Sequence, residues 1–384
     1  MAVAVVCAAQ NCDHSAIEPL STLALPPPVR ELFPIMNAEG RIGFINGTGR
    51  VVVTPRYRKI GGTFEDGLMA VTDVADAESY IDVTGAVKLK VDGTLAGPFS
   101  EGLAAVSSNG KFGYINKAGR VVIAPAFQVA GPFHLGLAAV RRGSQHGFVD
   151  AAGRVVIPAS FQWAGEFSPS DKLAAVDYCG LCGYINREGK PVFERRFYRC
   201  YRFSDGVAKV ETTQGKWGFV TASGEVLGEA DWPNGFLSEG LLAVQGLGGK
   251  IGFMNVQGKW VIEPKFDAVA PFSEGKAAVE LEGRWGFIDK VGSVVVPPVF
   301  AEPGDLLAAR FHSGLAFMAD AHTGKYGFID AAGKWVIAPR FERCEEQYGY
   351  HCGFNGNLAR VESGKQIQYI NKSGKIVWST RTRP

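Results

Sequence analysis

Apolar and polar residues alternate along most of this chain in short runs, and the runs recur. In Lys250 to Pro264, Ile251 and Phe253 alternate with Gly252 and Met254, which is strand periodicity. Asn255-Val256-Gln257-Gly258 follows as a turn. An Asn or Asp in first place can bond its own backbone, and a glycine in fourth place accepts positive φ. Lys259-Trp260-Val261-Ile262 then forms a second strand expected to stop near Pro264, since proline lacks a backbone donor and suits a strand end. A third element is the Ala-rich strand seen in Leu103-Ala104-Ala105-Val106, Leu137-Ala138-Ala139-Val140 and Lys276-Ala277-Ala278-Val279. It is preceded by a fixed approach such as Phe272-Ser273-Glu274-Gly275.

The pattern predicts a three-stranded antiparallel meander: Ala-strand, glycine-containing strand, Val-Ile strand. Ten copies are legible, each with its turn glycine, from Gly49 and Gly85 to Gly333 and Gly374. Copy two (Ser79-Tyr80-Ile81-Asp82) and copy ten (Gln368-Tyr369-Ile370-Asn371) lack the first glycine. A period of this kind sets the architecture before any single residue is read.

The Trp-Gly dipeptides Trp217-Gly218 and Trp285-Gly286, within a Gly-Phe-Ile-Asp-x-x-Gly-Lys-x-Val-Ile-x-Pro pattern, resemble the bacterial WG-containing repeat. The resemblance spans about Phe33 to Trp378 and implies a repeat scaffold. It implies no reaction, because the family as a whole has none assigned. Most copies replace the Trp, so a ligand needing it in each copy is not expected.

The expected fold class is all-β, a tandem array of about ten meanders forming an open curved β-solenoid. The alternative is a closed, β-propeller-like ring. The open form is favoured because whole meanders fit from Phe33 to Trp378 with no split unit, and because propeller blades usually have four strands. Residues 1–32 read as a leader or linker, 33–378 as the array and 379–384 as a tail. The start, Met1 to Gln10, is apolar and alanine-rich. It fits either a truncated signal segment or an unstructured leader.

Composition narrows the function classes. A net charge of +2 gives no global field for nucleic acid or anionic membrane. No run approaches the about 18 apolar residues of a spanning helix. There is no phosphate-binding glycine loop, zinc-protease helix or nucleophile elbow. We therefore expect no enzyme and no cofactor. The recurring Ser-Glu-Gly reads as a turn before the Ala-strand, since repetition at one phase does not make a catalytic pair.

Seven cysteines are many for a reduced compartment. Cys344 and Cys352 bracket a long connection and are a candidate disulfide. With the leader, this favours a secreted or periplasmic protein, the alternative being cytoplasmic. Cys179-Gly180-Leu181-Cys182 has redox and zinc spacing. However, it lacks a βαβ context and a second ligand pair, and Cys182 sits at the Trp position, so a packed or disulfide-bonded role is expected.

Candidate partner contacts are Arg195, Arg196, Tyr198, Arg199, Tyr201 and Arg202, where charge interleaves with rings. The copies after Phe300 carry insertions, and His312, His322 and His351 lie there without ligand spacing. The expected function is a non-enzymatic scaffold binding another protein. The alternative is a cell-wall or glycan-binding module.

Overall fold

The computed structural model describes residues 32–380, apart from 92–93, 305, 307–308, 343–352 and 365. It is all-β, with 34 strands and no helix among the described residues. Each of the ten copies pairs an Ala-strand with a glycine strand, from Leu32–Met36 with Ile42–Asn46 to Leu358–Ser363 with Gln366–Asn371. The register is the one the alternation sets. In copy eight, Ala278 faces Phe287 and Val279 faces Gly286. The turns form as expected: Asn255 Oδ1 accepts from the amides of Gln257 at 3.1 Å and Lys259 at 3.0 Å.

Two details differ from the expected meander. The approach is itself a strand in several copies, for example Val129–His134 against Leu137–Arg142. The third strand does not stop at its proline; Trp260–Phe266 runs through Pro264. The register shifts there, between the Ile251–Phe266 and Phe253–Ile262 pairings. The bulge explains both the proline, whose missing donor costs no ladder bond there, and the glycine opposite. An added Cβ on Gly286 would lie 2.5 Å from the carbonyl oxygen of Val296 and 2.7 Å from the nitrogen of Pro298. The glycine of the motif is therefore a seat for the bulged neighbour.

Copies interlock through rings and turns. The aromatic after the glycine packs edge-on against the approach phenylalanine of the next copy, as in Tyr114–Phe133 at 4.8 Å and Phe253–Phe272 at 4.9 Å. Where that aromatic is tyrosine, its hydroxyl donates to the next approach strand: Tyr114 to Gly131 O at 2.7 Å, Tyr184 to Tyr201 O at 2.8 Å. Turn glycines nest on the third strand of the preceding copy, as Gly292 does on Ile262.

The chain divides into two compact units. One comprises Leu103–Asn116 and Arg120–Pro233; the other comprises the described residues of Leu25–Gly102, Lys117–Gly119 and Asn234–Pro384. Within the second unit, copy ten packs on copy one. Tyr369 donates to Pro34 O at 2.6 Å, its ring lies 5.8 Å from Phe33, and Gly49 nests on Val377. They have counterparts at joints between consecutive copies, as Tyr114 on Gly131 and Gly292 on Ile262, but here the acceptor strand is the Ala-strand Leu32–Met36 and not an approach strand. The open solenoid is thereby overturned in favour of the closed, propeller-like alternative. The absence of a split unit misled because closure here is made by side-chain packing between whole meanders and not by sharing strands.

Candidate functional site

The Arg-Tyr segment lies at the one copy whose third strand is missing among the described residues. Copy five keeps only the pair Ala174–Asp177 and Cys182–Ile185, with isolated bridges from Ile185 to Pro191 and Cys182 to Phe197. Other side chains hold this joint. The guanidinium of Arg196 covers Gly183, where the bulged backbone would otherwise sit. It donates to the carbonyls of Phe193, Glu194 and Arg195 and stacks 4.4 Å from the Tyr178 ring.

The other arginines are also drawn inward. Arg199 pairs with Glu211 at 3.2 Å and lies 5.8 Å from the Trp217 ring. Arg202 contacts Glu166 at 3.4 Å and the carbonyl of Phe167 at 3.2 Å. Glu166 in turn meets His134 at 2.9 Å. Tyr201 tilts against Trp217 at 6.2 Å. Of the six predicted residues, Arg195 and Tyr198 are exposed, Tyr198 at 58%. The structure brings the six together on one stretch but commits four of them to the scaffold.

Cys182 bonds to Cys200, with sulfurs 2.08 Å apart, tying copy five to the start of copy six. Both are buried. Cys179 is disulfide-bonded as well, so the Cys-x-x-Cys pair is neither a dithiol couple nor half of a zinc site. Cys344, Cys352 and His351 lie outside the described residues. His312 is partly buried in a turn and His322 is exposed. No group of side chains able to hold a metal ion occurs among the described residues.

Lys209 escaped the sequence reading. It sits in Val207-Ala208-Lys209-Val210, where other copies have Ala-Ala-Val, and faces Phe219 across the ladder. Its ammonium lies 5.0 Å from the Trp217 ring and 5.6 Å from that of Tyr201, and it donates to the carbonyl of Pro233. Burial pushes its pKa down to about 8. The signal was present: a lysine at a phase that is alanine in six of the ten copies.

The Ser-Glu-Gly segments are hairpin turns with two residues at positive φ, as at Glu274 (53°) and Gly275 (74°). Their carboxylates link successive turns. Glu274 accepts from Gly314 N at 2.9 Å, and Asp66 accepts from Gly102 N at 2.7 Å.

A family model described as "WG containing repeat" matches residues 42–72, 86–112, 112–144, 147–177, 183–217, 251–285, 285–318 and 326–365. The chain belongs to the WG-repeat family. The eight matches pass over three central strands of copies that the sheets contain, Glu78–Asp82, Trp217–Thr221 beyond its first residue, and Gln366–Asn371. No curated protein matches the sequence. Among solved structures, this WG-repeat chain is similar to "Crystal structure of the eukaryotic initiation factor", with TM-score 0.50 and 12% identity over 91% of this chain and 94% of that one. It also aligns with BamB from Moraxella catarrhalis (TM-score 0.43, 14% identity, 70% and 91% covered). A third match is the WD40 beta propeller domain of Doa1 (TM-score 0.31, 12% identity, 58% and 89% covered). The first likeness bears on fold alone.

Proposed function

We propose that this WG-repeat protein is a non-enzymatic scaffold that binds another protein. One observation carries the reading. Among the described residues, the most exposed large apolar side chains are nearly all aliphatic, and Tyr198 is the single ring among them. They recur at the start of the third strand, as Val121 and Val122, Val155 and Val156, Val294 and Val295. Recurrent exposed aliphatic surface marks protein contact. A glycan site would need ring faces open for stacking, and the motif rings Tyr80, Tyr114, Tyr184 and Tyr369 are fully buried. The glycan alternative therefore stands second.

Arg195 and Tyr198 are the contacts we assign to a partner in the Arg-Tyr segment. The Cys182–Cys200 bond and the bonded state of Cys179 support an oxidising compartment, secreted or periplasmic. The test is capture of partners from a native extract beside sedimentation with purified peptidoglycan. Protein capture weakened by Arg195→Glu with Tyr198→Ala supports the scaffold; sedimentation with peptidoglycan and no protein capture overturns it.

A further inference from the structure

In the unit that contains copies one, two and seven to ten, charge is sorted by strand. The third strands, each taken with the residue before it, hold eleven lysines or arginines and a single acid, Glu263. The whole chain carries 40 basic and 38 acidic residues, so this is segregation and not composition. Two of the eleven are ion-paired among the described residues, Arg58 with Asp76 and Lys88 with Asp82. Lys259, Lys334 and Lys375 are exposed. Each stands beside aliphatic or ring side chains that open the strand, and Val336 and Ile376 are each 48% exposed.

These strands make one surface. The turn that leads into each third strand nests on the third strand before it: Gly292 on Ile262, Gly333 on Val296, Gly374 on Ile337. The series continues through the closure, with Gly49 on Val377 and Gly85 on Val53. A belt results that is aliphatic throughout and basic on every strand but that of copy eight, Val294–Phe300, and it crosses the junction of copies ten and one.

Cations on sheet edges can serve to block edge-to-edge pairing. Here the bulges and prolines already do that, and blocking does not call for exposed valines beside the charges. Building on the scaffold reading, we propose that the belt is a docking surface for an acidic polypeptide segment whose carboxylates alternate with aliphatic side chains. Charge complementarity selects the acid, and the exposed valines select the aliphatic partner. The belt offers no open ring to stack on bases, and its tryptophans Trp260, Trp335 and Trp378 are half-buried, unlike the free aromatics of a membrane-interface surface.

The test uses the full chain and a labelled synthetic peptide alternating Glu with Val, read by fluorescence anisotropy. The wild type should bind it, and should not bind the peptide with Ser in place of Glu. Lys259→Glu, Lys334→Glu and Lys375→Glu together should weaken binding by about tenfold or more. Val294→Thr with Val336→Thr should weaken it with charge unchanged. No binding by the wild type, or binding by both variants equal to that of the wild type, overturns the belt. So does retention on anionic-lipid vesicles or oligothymidylate in preference to the peptide. Capture of a protein from native extract that ignores the three reversals overturns the belt and leaves the scaffold standing. No capture by the wild type overturns the scaffold reading, and the belt with it.

Discussion

Tyr369 donates its hydroxyl to the carbonyl of Pro34 at 2.6 Å across 335 positions of sequence. The bond has the same form as the one from Tyr114 to Gly131, which joins two consecutive copies. If the junction is an ordinary joint, Tyr369→Phe and Tyr114→Phe should cost alike, about 1–2 kcal/mol for a buried carbonyl left without its donor. Urea denaturation of the two variants compares them. A negligible loss for Tyr369→Phe alone would mean that copy ten is not held on copy one.

Gly286 and Gly47 separate two roles of glycine. A Cβ on Gly286 would collide with the backbone of Val296 and Pro298, whereas Gly47 has nothing within 4 Å and no positive φ. Gly286→Ala should destabilise by about 1–3 kcal/mol, since backbone must move. Gly47→Ala should be neutral or stabilise by about 0.4–1 kcal/mol through the unfolded chain. Thermal melts of the pair decide, and similar melting temperatures would refute the bulge-seat account.

The Cys182–Cys200 bond closes a loop of sequence separation 18. Cys200→Ala should cost about 3 kcal/mol, as expected for a loop of that size. Reductant should lower the stability of the wild type more than that of the variant. Equal sensitivity to reductant would show that this bond does not stabilise the joint.

Lys209 should make stability rise with pH. Its folded pKa, about 8, lies below the ordinary lysine value of about 10.4. Between those values the unfolded chain binds a proton that the folded chain lacks, so stability climbs across that window. Below pH 8 the folded state carries the full cost of the buried charge. Lys209→Ala, which restores the residue usual at this phase, should raise stability at pH 7 and flatten the slope between pH 8 and 10. Denaturation midpoints measured across that range would show parallel curves if the idea is wrong.

What the sequence made legible was local. The alternation at Ile251 and Phe253, the Asn255-to-Gly258 turn and the Ala-strand phase each encode a contact within about fifteen residues, and each forms as read. The closure was not legible, because nothing in the order of residues says that Phe33 and Pro34, on the Ala-strand of copy one, receive Tyr369 from copy ten. The Arg-Tyr segment was visible as charge, but nothing in the order of residues says that Arg196 turns back onto Gly183. Cysteine spacing pointed to Cys179 and Cys182 as neighbours, while Cys182 is bonded to Cys200, just beyond the Cys182–Phe197 bridge.

The joint at Tyr369 has a consequence for how the protein can be cut and spliced. Copy ten treats copy one as its successor, so the numbering of the repeats is a convention of the polypeptide and not of the packing. A permuted chain that joined copy ten covalently to copy one, and was opened instead at the turn before copy eight, would keep the same ring contacts and tyrosine bonds and leave the belt whole. What distinguishes one copy from another is then its substitutions, such as Cys182, Lys209 and Tyr198, and not its place in line.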